Sequence, residues 1–332
     1  MPLTKVKSLG TENIGGGNRN LVINGAMMIS QRATTASFSG GSGGYVSLDR
    51  FKTFASGGGA LTLSQETDVP SGEGFKNSMK VTVNTNDSSI ASGDYYVLQH
   101  YIEGNNCSQL MQGTANAQTI TISFYVKSSV TGNFGGALNN NANDRSYPFQ
   151  YTIDSANTWQ RITKTITLDT SGTWETDNNT GLKLQWDFGS GANFQGTANA
   201  WASANYHTAS SSVQLIATSS ATWFVTGFQI EIGTQASDFE HRSFAEELNL
   251  CLRYYCNTIS VYHCDYAGSS SIANFQFPVP MRESPTYTTF ENDGSTSLND
   301  LHHSREPGAL AGYAYKGSDI TARVSFSVDA EF

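Results

Sequence analysis

Charge is scarce in this chain of 332 residues: Asp, Glu, Lys and Arg together make up 14% of it, against roughly 25% in an average globular protein. Lys and Arg form no cluster anywhere, and the formal net charge is −9. A nucleic-acid binder shows a basic patch or stripe, and so does a protein held on an anionic bilayer. Both classes are set aside. Nor does any stretch approach the roughly 20 consecutive apolar residues of a membrane-spanning helix. The start, Met1 to Ile14, lacks the apolar run of a secretory leader, so the expectation is a product made in a cytoplasm. Of the four cysteines, Cys107, Cys251, Cys256 and Cys264, no two stand as a C-x-x-C pair, which removes the zinc templates. Buried free thiols are expected; a disulfide among the last three is the alternative.

What is present is hydrophobic enough to fold, at 38%, and long enough for two domains or for one large and one small. With so little charge, the polar surface falls to Asn, Ser, Thr and Gly. Outward faces of β-sandwiches carry Thr and Ser, and their turns need Gly and Asn. Strand signals recur accordingly. Leu61 and Leu63 alternate, then Met79, Val81 and Val83. Ile120, Ile122, Phe124 and Val126 form a run of period 2. Further runs are Ile162, Ile166 and Leu168 (with Lys164 in parity), Leu182, Leu184, Trp186 and Phe188, and Phe224, Phe228, Ile230 and Ile232. Period 2 places one row of side chains in a core and the other in water. Turn clusters separate the runs, for example Ser56-Gly57-Gly58-Gly59, Asn139-Asn140-Asn141 and Gly189-Ser190-Gly191. The fold expected is all-β, an antiparallel jelly-roll β-sandwich over residues 20–240.

Residues 1–19 read as a separate arm, jointed at Gly15-Gly16-Gly17. It is either a frayed terminus or an attachment arm, with Leu3, Val6, Leu9 and Ile14 as its assembly contacts. One short helix is expected in the connecting segment 241–256. Ser243 and Glu246 have capping-box spacing, and Phe244, Leu248, Cys251, Leu252 and Tyr255 share one helical face. Residues 257–332 read as a small C-terminal β domain: Pro278, Pro280 and Pro285 exclude helix, and Ile320, Ala322, Val324, Phe326 and Val328 alternate. About 75 residues make a modest core, so some of these strands are expected to pair with other subunits.

Catalytic chemistry finds little support. Gly40-Gly41-Ser42-Gly43-Gly44 fits the nucleophile-elbow pattern, but no helical pattern follows the serine. Asp238, Glu240 and His241 read as a charged linker that hydrogen-bonds the helix start, because neighbours in an extended chain point to opposite faces. His302 and His303 are placed in a polar loop near Asp300. No cofactor is expected; a structural calcium would draw on loop oxygens such as those of Asn143, Asp144, Asp177 and Asn178. Trp186 and Trp223 belong to strand runs and to the core, and Trp159 to a packed strand start. Trp174, Trp201, Tyr206 and Tyr147 sit instead in connections rich in Asn, Gly and Ser. An exposed aromatic face stacks on the C–H face of a sugar while nearby polar groups meet its hydroxyls. These four are the candidate glycan-binding residues; the alternative is that they plug a sandwich end or a subunit contact.

Several stretches carry a family resemblance. Asn20-Leu21-Val22-Ile23-Asn24-Gly25-Ala26-Met27 with Gln31-Arg32 and Leu48-Asp49-Arg50-Phe51 resembles the opening of a family of phage tail-fibre and virion proteins, common among phages and prophages of marine bacteria. Ser123-Phe124-Tyr125-Val126-Lys127-Ser128, Thr158-Trp159 and Gly181-Leu182-Lys183-Leu184 with Trp186 continue it. The most specific piece is Phe239-Glu240-His241-Arg242-Ser243-Phe244, Glu246-Glu247-Leu248, Cys251 and Arg253-Tyr254-Tyr255. Phe277-Pro278-Val279-Pro280-Met281-Arg282 and Ser284-Pro285-Thr286 follow. Thr226-Gly227-Phe228-Gln229-Ile230-Glu231-Ile232-Gly233 closes a region that also resembles jelly-roll carbohydrate-binding modules. The resemblance implies a place in the virion, commonly as a homotrimer beside other virion proteins, with contact to a host surface glycan and no catalysis. It transfers no ligand residue. The chain is short for a whole fibre and has neither Gly-x-y repeats nor heptads, which fits a compact knob, a nozzle-associated protein or a short fibre.

Three functions are therefore carried forward. The first is a receptor-binding or fibre protein. The second is a capsid decoration or tail adaptor protein with assembly contacts only. The third, a glycan depolymerase, needs two carboxylates about 5–10 Å apart, and the β-helix type would show solenoid repeats, which are not seen.

Overall fold

The computed structural model describes residues 19–263, 271–292, 300–303, 311–316 and 322–332. The arm with Leu3, Val6, Leu9 and Ile14, and Cys264, lie outside the described residues. In chain order the strands are β1 (Thr35–Ser39), β2 (Ser42–Gly44), β3 (Phe51–Ala55), β4 (Ala60–Glu66), β5 (Ser78–Thr85), β6 (Tyr95–Glu103), β7 (Thr119–Ser128), β8 (Gly132–Asn139), β9 (Ser146–Ile153), β10 (Gln160–Thr167), β11 (Thr180–Ser190), β12 (Gln195–Gly196), β13 (Thr208–Ala209) and β14 (Thr222–Ile232). After helix α1 (Phe244–Leu252) come β15 (Tyr255–His263), β16 (Ser271–Gln276), β17 (Thr286–Asn292), β18 (Asp300–His303), β19 (Ala311–Lys316) and β20 (Ala322–Asp329).

Two six-stranded antiparallel sheets form the jelly-roll sandwich, in the orders β1-β4-β5-β14-β7-β10 and β2-β3-β6-β11-β8-β9. The runs expected within residues 20–240 lie on these strands, with Leu168 one residue past the end of β10. Their apolar rows meet between the sheets, where Trp186 and Trp223 are both 0% exposed. Phe228 packs 4.5 Å from Trp186 and Phe188 5.2 Å from Trp223, both edge-on. The Trp223 indole N–H donates to the Tyr151 hydroxyl at 3.0 Å, so this large ring is buried with its polar atom satisfied. Burying each such ring contributes roughly 2–3 kcal/mol relative to exposure.

Period 2 fails at two places, each for a physical reason. In β14, Val225 pairs with Val126 and Ile230 with Ile122, five residues against four. The extra residue is a bulge at Gly227, whose φ of 62° suits glycine. It switches the parity, so the core-facing row is Trp223, Val225, Phe228 and Ile230. Phe224 lies on the outer face instead, beneath Lys127 at 4.3 Å. In β11 every residue is buried. The alternate row of Lys183, Gln185 and Asp187, expected in water, is roofed by the chain segment after the strand.

The helix begins with the expected capping box: Ser243 N donates to Glu246 Oε2 at 2.8 Å and Glu246 N to Ser243 Oγ at 3.3 Å. It ends four residues early, because Tyr255 enters β15 opposite Asp329. Its expected apolar face is also corrected. Phe244 is 60% exposed, whereas Glu247 and Cys251 are buried. The Glu247 carboxylate accepts the Asn24 N–H at 2.5 Å and pairs with Arg242 at 3.5 Å, so the helix docks through a satisfied charge. Cys107 and Cys251 are buried free thiols, and Cys256 is buried as well. No helix among the described residues is long and apolar enough to cross a membrane.

Beyond α1 lie two three-stranded sheets, β15-β20-β17 and β16-β19-β18. His302 and His303 fall on β18 rather than in a loop, and their side chains lie outside the described portion. The last residues return to the sandwich. Glu331 pairs with Arg50, which is 1% exposed and stacks 3.4 Å over the Tyr254 ring. The Phe332 ring stacks on Tyr101 at 5.6 Å.

Candidate functional site

The segment 191–214 leaves β11 and folds back over the outer face of the second sheet. Gln185 Nε2 donates to the Tyr206 carbonyl at 3.2 Å, and Asn139 Nδ2 donates to the same oxygen at 3.2 Å. The edge strand β9 holds the next stretch. Ser146 and Ala202 exchange backbone hydrogen bonds of 3.0 and 2.8 Å. The Ser146 hydroxyl donates to the Ala204 carbonyl at 2.7 Å and accepts from Tyr206 N at 3.2 Å. Asn199 N donates to the Pro148 carbonyl at 2.7 Å. A connection whose strands are only the short pair β12 and β13 is thereby fixed at several points.

This pinning brings the four candidate aromatics together. Trp201 lies 5.2 Å from Tyr147 and 5.6 Å, perpendicular, from Trp174. Its indole N–H donates to the Thr167 carbonyl at 2.9 Å, and that of Trp174 to the Ser171 carbonyl at 2.9 Å. Tyr206 packs flat on Gly196, where an added Cβ would stand 2.3 Å from the ring. Trp201 and Tyr206 face a cleft of about 400 Å³, completed by Gln195, Thr197, Ala200 and Ser210 among others. Tyr147 and Trp174, like Trp201 itself, are half-buried against the core. Tyr147 and Trp174 thus both flank Trp201 at this end of the sandwich.

Beneath the same roof lies a buried polar layer that the sequence pattern did not announce. Burial, with Lys52 nearby, lowers the Lys183 ammonium to about 8. Burial raises the Asp187 carboxyl to about 7, against the hydrogen bond from Ser190. His207, stacked 4.4 Å from Phe194, is lowered to about 3 by burial and by Lys183. In each group burial shifts the balance toward the neutral form, because desolvation exceeds what its partners return.

The remaining candidates are placed as follows. Ser42 sits in a β-hairpin, with its hydroxyl bonded to Ser39. Of the loop oxygens considered for calcium, Asn143 Oδ1 accepts from the Lys183 ammonium, Asp144 Oδ1 from Asn140 at 2.6 Å, and Asp177 Oδ1 from Asn179 N at 2.8 Å. No group of three or more His, Cys, Asp or Glu that could hold a metal occurs among the described residues. Trp159 is half-buried and donates to Asp68 at 3.0 Å. The linker reading of 238–241 needs correction. The Glu240 carboxylate accepts from Arg19 N and Asn20 N at 3.2 and 2.8 Å and pairs with Arg242 at 3.2 Å. Asp238 and His241 do converge, with Glu73, Tyr125 and Arg161, on a cleft of about 580 Å³ on the first sheet. The strap turns between them, and His241 Nε2 lies 3.2 Å from the Glu73 carbonyl.

No family model matches this chain, and no curated protein matches it. Among solved structures, the enzymatically active domain of tailspike protein 4 of bacteriophage CBA120 aligns at 10% identity with a TM-score of 0.36, over 65% of this chain but only 22% of the tailspike chain. A putative sugar-binding protein from Bacteroides thetaiotaomicron aligns at 9% identity and a TM-score of 0.33, over 64% of this chain and 100% of that one. A family 11 carbohydrate-binding module from Clostridium thermocellum, in complex with a mixed-linked tetrasaccharide, aligns at 13% identity and a TM-score of 0.30, over 58% and 91%.

Proposed function

We propose that this chain is a non-enzymatic glycan-binding protein of a tailed-phage virion, of the tail-fibre or receptor-binding kind, and that host surface glycan enters the Trp201–Tyr206 cleft. The observation that carries the binding part is the preset aromatic wall. A surface ring already fixed by two neighbours and a hydrogen bond loses little freedom when a ligand stacks on it. Thr197, Gln195, Ser210 and the Tyr206 hydroxyl stand around the same cleft, with donors and acceptors suited to sugar hydroxyls. Its lining holds no acid or base that could cleave a glycosidic bond. The virion part rests on the sequence resemblance, strongest over residues 239–255, and the trimer is proposed on the same ground.

The test is a glycan array with the whole chain, followed by calorimetry on any ligand found. Trp201→Ala and Tyr206→Ala are each expected to weaken binding at least tenfold while unfolding stays cooperative. Unchanged affinity in both folded variants would remove the cleft from the account. Host adsorption that survives both substitutions would favour the decoration or adaptor reading.

A further inference from the structure

The lining of the cleft is uncharged throughout, made of aromatic, hydroxyl, amide and methyl groups, unlike that of the first-sheet cleft with Glu73, Arg161 and Asp238. Arg145, beside this end of the sandwich, and Lys183, beneath its roof, are already committed, the second to Asn143 Oδ1. Arg145 pairs with Asp169 at 2.6 Å and donates to Ser203 at 2.5 Å, and Asp169 is itself 4% exposed. The chain as a whole carries −9, so its long-range field repels anions. A sugar carboxylate entering this site would shed hydration and meet no counter-ion, whereas hydroxyls exchange water for the lining groups at little net cost.

Resting on the glycan-binding reading above, we infer that the Trp201–Tyr206 cleft selects neutral glycans and rejects uronate-containing and sialylated ones. Selection arises from the absence of a cation, not from a clash, so it is reversible by supplying one. Thr197 lines the cleft from an exposed position, and arginine there would place a guanidinium at its mouth.

Calorimetry on matched tetrasaccharides tests this: tetramers of galactose, glucose and mannose against tetramers of the corresponding uronates, at low and moderate salt. At least one neutral tetramer is expected to bind, with little salt dependence, and its uronate to bind at least tenfold more weakly. Thr197→Arg is expected to narrow or reverse that ratio, with the gain fading as salt rises. A uronate that binds the wild-type chain as tightly as its neutral counterpart, and is lost in Trp201→Ala, would overturn the inference while leaving the cleft as the site. Binding of neither class, or neutral binding untouched by Trp201→Ala, would overturn the underlying reading and the inference with it.

Discussion

Removing the Glu331 carboxylate leaves a guanidinium buried and unpaired, and the consequence can be sized. Arg50 is 1% exposed and the Glu331 side chain 3%. The guanidinium also donates to the Tyr101 carbonyl at 2.7 Å and stacks on Tyr254. Those contacts remain in Glu331→Ala, but the charge compensation goes. Breaking a buried pair from one side costs about 3–5 kcal/mol. The Tyr101 carbonyl and the Tyr254 face retain part of the stabilisation, and Arg32, 3.7 Å from Glu331, loses a weaker partner. The lower part of the range, about 3 kcal/mol, is therefore expected in urea unfolding. Replacing both residues together, as Arg50→Met with Glu331→Leu, is expected to recover most of the loss, because the buried charge disappears with its partner. A single-variant loss below about 1 kcal/mol, well under the cost of breaking a buried pair, would refute the reasoning and mean that the chain end does not pack on Arg50.

Three further outcomes are expected. Asp187 has its folded pKa raised to about 7, so the folded state holds a proton that the unfolded state releases from about pH 4 upward, and its contribution to stability falls between those limits. Asp187→Asn should thus gain stability relative to wild type on going from pH 4.5 to pH 8 in urea unfolding; a difference constant with pH contradicts the burial argument. His207, lowered to about 3, acts in the opposite sense, since its neutral form loses stability as the unfolded histidine protonates below about 6.5. Ser243→Ala removes one half of the capping box and should cost about 1 kcal/mol, read as a lowered urea midpoint with an unchanged slope. Light scattering should give a mass near three times 35.8 kDa at two concentrations if the chain is the trimer proposed; a monomer at both would count against it.

Strand positions were readable because alternation is local: Ile120 to Val126 and Leu182 to Phe188 report their own pleat. The same pattern could not report what lies on the other face. Lys183, Gln185 and Asp187 look solvated until the segment from Gly191 returns over them, a contact between distant parts of the chain. The Gly227 bulge was hidden for a related reason, since glycine in an apolar run does not say whether the ladder slips. In α1 the cap was legible, as Ser243 and Glu246 are three residues apart. The buried side was not, because Glu247 is buried by Asn24 and Arg242 across the fold. The four candidate aromatics were singled out by composition alone. Their convergence depends on Ser146 bridging to Ala202, a pairing no spacing rule announces, and their role in binding rests on experiment.

The central claim is that ligand meets the ring of Trp201. The most direct measurement is an NMR titration of the five tryptophan indole N–H signals with the tightest neutral oligosaccharide from the array. The account predicts saturable shifts for Trp201 and, through their perpendicular contact, smaller ones for Trp174, while Trp186 and Trp223 in the core stay still. Saturable binding that leaves Trp201 unmoved, or moves Trp159 on the first sheet instead, would contradict it.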